Sequence, residues 1–187
     1  RDRRKRETRN QIRRIALQLI EERGYDAVTV DLISERAGVS VRTFFNYFAS
    51  KESAMIATPP PVPAAAVQKF LAGRGPTDLF AHLGELAVSQ LEADDPLPSD
   101  FEAAMQIVMG VPALAKLQFA ALVDLETQFV ELIAQRLGLG VEDKQPAVIA
   151  AAFMGAVRVA GQRWSQNPEQ RSLSDEVRAC LSFLSVE

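Results

Sequence analysis

The chain has 187 residues, of which 48% are hydrophobic and 24% charged, enough for one ordinary domain or a small domain joined to a larger one, with material for a buried core. A single cysteine, Cys180, and a single histidine, His82, exclude a disulfide framework, a multi-cysteine zinc site and a histidine-rich metal centre, and no apolar run reaches the 18 residues of a membrane span. The net charge of −3 conceals an asymmetry: residues 1–58 hold 12 Lys and Arg against 8 Asp and Glu, and residues 59–187 hold 9 against 16, so that a basic head suited to a polyanion, nucleic acid or membrane, precedes an acidic body.

Strand-type alternation is scarce, and long stretches rich in Ala, Leu, Val, Gln and Glu predict an all-α protein. The stretch "ETRNQIRRIALQLIEERG" carries Ile12, Ile15, Ala16, Leu19 and Ile20 at helical spacing and stops at Gly24. The basic segment before it, "RDRRKRETR", supplies sequence-independent attraction for phosphates and a reach toward the minor groove. No apolar signal core follows that segment, so a cytoplasmic location is expected. In "TVDLISERAG", Thr29 is the N-cap, Asp31 sits in the first turn and Gly38 ends the helix. A third helix begins after the cap Ser40 and runs to about Phe48. A fourth follows Ser50, with Glu52 in its first turn. Helices two and three are short and only "AGVS" separates them, which is the turn chemistry of a helix-turn-helix.

The run "TPPPVP", residues 58–63, interrupts any continuous fourth helix and marks a domain boundary, with the head over 1–57 and the body over 58–187. Beyond it, helices are expected near 63–72, 77–92, 99–110, 112–137, 145–166 and 174–184. Their starts are marked by Pro63, Thr77, Ser99, Pro112, Pro146 and Ser174.

"GVSVRTFFNYFASKE" packs four aromatics into five positions, more than one helix face can bury. Phe44 and Phe48, at i and i+4, form the core-facing pair and leave Phe45 and Tyr47 toward a ligand. If the ligand is DNA, Arg42 can donate twice to guanine, Asn46 can pair with adenine or the backbone, and Thr43 suits phosphate or a thymine methyl. Tyr47 sits one turn on from Thr43 and can donate to a phosphate. Lys51 can grip a phosphate together with the amides of its turn, and Thr29 can add a contact from the other side.

Residues 8–56 resemble the DNA-binding signature of tetracycline-repressor-type (TetR/AcrR) transcriptional regulators. Gly24, Thr29, Ile33, Ala37, Gly38, Val39, Ser40, Thr43, Phe48, Ser50, Lys51 and Glu52 stand where that family usually has these residues. The resemblance places common contact positions on Thr29, Val41, Arg42, Thr43, Phe45, Tyr47 and Lys51. It departs at Phe45, more often tyrosine, and at Ala49, often proline. It implies a homodimer whose heads enter successive major grooves of a palindromic operator, and an inducer that moves helix four and spreads the heads.

No catalytic constellation stands out in the body, no cofactor or metal is expected, and Cys180 reads as a small apolar filler. The Ala- and Gly-rich "AVIAAAFMGAVRVAGQRW" together with "DEVRACLSFL" provides a close-packing two-helix surface for a partner copy. Phe80, Leu83, Met105, Met109, Phe119, Leu122, Val123, Phe153 and Val157 are candidate lining for an adaptable apolar pocket. "VPALAKLQFAALVDLETQFVELIAQRLGL", "AAAFMGAVRVAGQRW" and the closing short amphipathic helix are also similar to an actinobacterial-type subgroup of these regulators described as binding acyl-CoA-like ligands, which implies a lipophilic or amphipathic inducer. A helical DNA-binding or partner-binding protein without a small-molecule ligand, and an activator, are the alternatives.

Overall fold

The computed structural model describes residues 2–56, 61–73, 78–94, 98–167 and 169–185, and their side chains except those of 2–3, 92–94 and 98–103. Among these residues there are helices, turns and no strands. The helices are α1 (Asp2–Arg23), α2 (Val30–Ala37), α3 (Val41–Phe45), α4 (Lys51–Met55), α5 (Ala64–Ala72), α6 (Leu79–Asp94), α7 (Pro98–Gly110), α8 (Pro112–Leu137), α9 (Lys144–Gln166) and α10 (Leu173–Ser182). A short 3-10 turn, Tyr25–Ala27, joins α1 to α2. The all-α expectation holds.

Several boundaries move. The basic segment is helical from Asp2 and continues α1, so it is no extended arm. α3 stops at Phe45, because the Asn46 N–H is shared between the carbonyls of Arg42 and Thr43 and the chain tightens into a turn. α4 ends at Met55, and Ile56 is already extended; Pro59 disfavours the helical region for the residue before it and offers no N–H to the Met55 carbonyl four residues back. α10 begins at Leu173 with Ser172 as its cap, two residues ahead of the expected Ser174. The expected start at Thr77 and most of the breaks at 58–63, 73–76 and 94–98 fall outside the described residues.

The chain forms two compact units, one of residues 1–58 with 99–121, the other of 59–98 with 122–187. The core of the first unit contains Ile12, Ala16 and Leu19 of α1, Ile33 and Ala37 of α2, Phe44 and Phe48, and Ala54 and Met55 of α4. Ala104 and Val108 of α7 and Leu114 of α8 complete it. Residues 99–121 therefore pack with the head although they lie far along the chain.

The second unit centres on Phe70 of α5, Leu83 and Leu86 of α6, Phe129 and Ile133 of α8, Phe153 of α9, and Val177 and Leu181 of α10. The rings of Phe129 and Phe153 lie 4.6 Å apart. Arg136 is buried among these helices; its guanidinium donates to the Phe70 carbonyl at 3.1 Å and lies over the Phe70 ring at 4.7 Å. Burial pulls its pKa below the ordinary arginine value, an effect that Asp78 opposes. No single described helix is long and apolar enough to cross a membrane; Ala104–Gly110 and Pro112–Leu137 pass such a test only jointly, and they are bent by 113°.

Candidate nucleic-acid interface

The presentation of α3 begins at the end of α2. Gly38 adopts φ 67°, a left-handed conformation that glycine takes without steric cost, and its N–H and that of Val39 bond the carbonyls of Glu35 and Ser34. From α1, Gln11 donates its side-chain amide to the Ala37 carbonyl at 3.2 Å. Two residues after Gly38 the chain re-enters a helix. Ser40 accepts the Thr43 N–H on its Oγ at 3.0 Å, and the two hydroxyls lie 2.8 Å apart. The start of this five-residue helix is thus held both by the turn before it and by its own cap, while Phe44 and Phe48 anchor its far end in the core.

Phe44 is fully buried and Phe48 nearly so, as their spacing predicts. Val41, Arg42, Phe45 and Asn46 are exposed, with Phe45 presenting 53% of its surface. Its ring stands at 88° to that of Phe44, with centroids 5.5 Å apart, an edge-to-face contact that fixes its direction. Thr43 is half-buried, its hydroxyl engaged with Ser40. Tyr47 is also half-buried and packs against the core of the first unit rather than standing clear of it. Thr29 is exposed; its Oγ1 accepts the Leu32 N–H at 3.2 Å and so caps α2.

Lys51 has a different setting from the one its spacing suggests. Its ammonium donates to the carbonyls of Val28 at 2.9 Å and Tyr25 at 3.2 Å and lies 4.2 Å from the Tyr25 ring centroid. The next residue closes the same knot, because the Tyr25 hydroxyl donates to Glu52 Oε1 at 2.8 Å. Burial first, and then this bond, push the Tyr25 hydroxyl up to about 12. Burial acts to raise the Glu52 carboxyl, yet the bonds from Tyr25, Ser50 and its own backbone, with the Lys51 charge, outweigh it and hold Glu52 below the usual carboxylate range. The first turn of α4 therefore clamps the 3-10 turn that leads into the Thr29 cap. Sequence reasoning missed this clamp. Its partners lie 23 to 27 residues apart, and no local periodicity links them.

The sequence-predicted pocket residues separate: Met105, Met109 and Phe119 belong to the first unit, and Phe80, Leu83, Leu122, Val123, Phe153 and Val157 to the second. Leu83 and Phe153 are buried core, and Phe80 and Val157 pack against that core. Met105 of α7 is half-buried and Met109 exposed. Phe119, Leu122 and Val123 form an exposed i, i+3, i+4 stripe on α8, with Phe119 at 70% exposure. None of the nine lines the cavity of about 150 Å³ between α5 and α6, whose walls include Phe70, Leu86, Lys69, His82, Glu85 and Ser89. The Nδ1 atom of His82 is buried there without a hydrogen-bond partner. Glu85 is held below its ordinary pKa chiefly by a 2.9 Å hydrogen bond from Arg178 of α10. Cys180 is half-buried and its thiol is pushed up by burial, which fits the filler reading. Among the described residues, no three His, Cys, Asp or Glu side chains gather as a metal site.

Two family patterns match this chain. Residues 12–57 fit the bacterial regulatory proteins of the tetR family, and residues 86–186 fit the MftR C-terminal domain. The HTH-type transcriptional regulator TcmR of Streptomyces glaucescens is 32% identical over 176 residues, which span 88% of this chain and 76% of TcmR. The chain belongs to the tetR family of regulators. Two solved tetR-like folds extend the comparison: FadR of Bacillus subtilis in complex with stearoyl-CoA, at TM-score 0.52 and 18% identity over 93% of this chain and 96% of that one, and the fatty acid degradation regulator FadR of Bacillus halodurans, at TM-score 0.51 and 20% identity over 94% and 93%. At those identities they establish the shared fold alone. This tetR-family chain is a DNA-binding transcriptional regulator with a helix-turn-helix head, and the family's members are regulators, not enzymes.

Proposed function

We propose that this regulator is a ligand-responsive repressor, acting in the cytoplasm as a homodimer on a palindromic operator. The head, residues 1–57, contacts DNA through Thr29, Val41, Arg42, Thr43, Phe45, Asn46, Tyr47 and Lys51. The body, residues 58–187, holds the ligand and joins the two copies. The single observation that carries this reading is the capped and core-anchored α3 with four exposed residues outward, the form of a recognition helix entering a major groove. In this arrangement Arg42 and Asn46 read bases. Lys51 acts chiefly by fixing the approach to Thr29, with the remaining hydrogen of its ammonium left for a phosphate.

Support for the dimer comes from α9 and α10. Val148 and Val159 stand exposed on α9 in line with Ala151 and Gly155, and Phe183 at the end of α10 is 88% exposed. The inducer we propose is lipophilic or acyl-CoA-like, in keeping with the FadR–stearoyl-CoA complex and with the apolar walls, Phe70 and Leu86, of the cavity between α5 and α6. A cavity of about 150 Å³ accepts a ring-sized group, so a long acyl chain entering there has to part α5 from α6. Ligand affinity and helix movement are then coupled by construction.

Selection of bound sites from random duplex DNA, with and without a long-chain acyl-CoA, tests the whole reading. A palindrome lost on adding the acyl-CoA is the expected result. A palindrome indifferent to it keeps the repressor and removes the ligand class. A site without two-fold symmetry, or a monomer by light scattering at micromolar concentration, removes the homodimer.

A further inference from the structure

The four exposed residues of the α3 segment fall into two rows at i, i+4 spacing. Arg42 and Asn46 form a polar row, and Val41 and Phe45 an apolar one, about 100° around the helix from the first. The polar row has evident partners on base edges. The apolar row is the harder one to explain, because an exposed phenylalanine on a charged, DNA-facing surface offers nothing to a phosphate. Phe45 carries no hydroxyl, yet it is not left loose: the edge-to-face contact with the buried Phe44 sets its ring outward. Val41 occupies the first position of α3, immediately after the Ser40 cap, and is exposed at 36%. Of the groups that base edges present in the major groove, the apolar one is the 5-methyl of thymine.

We infer that Val41 and Phe45 form a thymine-methyl reader, so that each operator half-site carries thymine at one or two defined positions beside the bases read by Arg42 and Asn46. This inference rests on the reading of α3 as the recognition helix, and it goes beyond that reading by assigning the specificity of two residues. The geometry also pairs the rows. An adenine contacted by Asn46 has its thymine across the base pair, and that methyl faces the same major groove.

Deoxyuridine differs from thymidine only by that methyl and leaves base pairing intact, so it isolates the contact. The test uses the full chain and its selected operator, with each thymine replaced in turn by deoxyuridine and affinity measured at one fixed salt concentration. The expected result is a loss of about 3- to 10-fold at one or two positions per half-site, the scale of burying one methyl group. In Phe45→Ala the thymine and deoxyuridine operators should bind alike. Phe45 is half out in solvent, so this variant keeps its core; urea unfolding of the free protein confirms that. Val41→Ala, the second variant, should reduce the discrimination without abolishing it. Indifference to deoxyuridine at every position, with site-specific binding intact, overturns the methyl reader and places the ring elsewhere, for example against deoxyribose. A deoxyuridine effect of equal size in the wild type and in both variants also overturns it. Failure of the intact chain to select any site removes the recognition-helix reading itself, and this inference with it.

Discussion

The first unit builds α2, α3 and α4 from eight, five and five residues, and a side-chain hydroxyl caps each of them: Thr29, Ser40 and Ser50. In the second unit α5 and α9 start without any side-chain cap, at Pro63 and Asp143, and α9 runs for 23 residues. Between α3 and α9 the contrast follows from length; the ten-residue α10 of the second unit is capped too, by Ser172. A five-residue helix leaves most of its N–H and C=O groups without intrahelical partners, and nucleation is costly, so it exists only where local bonds and tertiary packing hold both of its ends. A long helix dilutes its end effects and is held by its buried stripe. The short helices of the first unit therefore position a few side chains tightly, and α9 of the second offers a long surface.

The strongest test of that contrast is in the cores. Phe44→Ala and Phe153→Ala each remove a fully buried ring and should each cost about 3–5 kcal/mol in urea unfolding. A much smaller loss at Phe44 would mean that caps, not packing, hold the short helices. Next comes recognition: Arg42→Ala should lose about 1–3 kcal/mol of discrimination at one base pair of each half-site and leave unfolding unchanged. Ser40→Ala should destabilise by about 1 kcal/mol, and Pro63→Ala should stay within about 0.5 kcal/mol; equal effects would erase the distinction between the units. Ser34 sharpens it from the other side. It is buried in α2 with its Oγ unpaired, so Ser34→Ala should gain about 1 kcal/mol by removing an unsatisfied hydroxyl.

Two smaller effects follow. The Tyr25–Glu52 bond requires a neutral phenol and an ionised carboxylate. Because the folded pKa of Glu52 is depressed, its contribution is complete above the unfolded carboxylate value and fades as pH falls through the folded one. Because the folded pKa of Tyr25 is raised, its contribution is present below the ordinary tyrosine value and fades as pH climbs through about 12. Tyr25→Phe should therefore flatten both limbs of the stability-against-pH curve, and lower DNA affinity by loosening the approach to Thr29. Arg178→Ala breaks a half-exposed ion pair with Glu85 and should cost less than about 1 kcal/mol.

How much was legible in the sequence follows the same division. Thr29, Ser40 and Ser50 were readable as caps because a cap is a bond across three residues, and all three bonds are present. The same rule finds Ser172, which has an acid three residues on at Asp175; Ser174 has Val177 there, and the expectation of a start at Ser174 overlooked the difference. The end of α3 was harder to read, since Phe48 is buried whether the helix continues or tightens into a turn. The clamp of Tyr25, Lys51 and Glu52 is illegible locally because its bonds join segments more than twenty residues apart. Pocket lining was the least legible of all. Leu83 and Phe119 look alike in a list of apolar residues, and only the fold makes one core and the other surface.

The shortness of α3 sets a limit on information. Five residues at about 1.5 Å each span about 7.5 Å, against about 3.4 Å per base-pair step, so one head faces two or three base pairs and can specify about six bits. A regulator choosing its site among at least about 10⁶ competitors needs about twenty bits. No rearrangement of Val41, Arg42, Phe45 and Asn46 closes that gap from within a single helix of this length. The address has to be assembled from repetition and from the shape of the duplex: the proposed pair of heads raises it to about twelve bits and leaves the remainder to the deformability of the DNA between them.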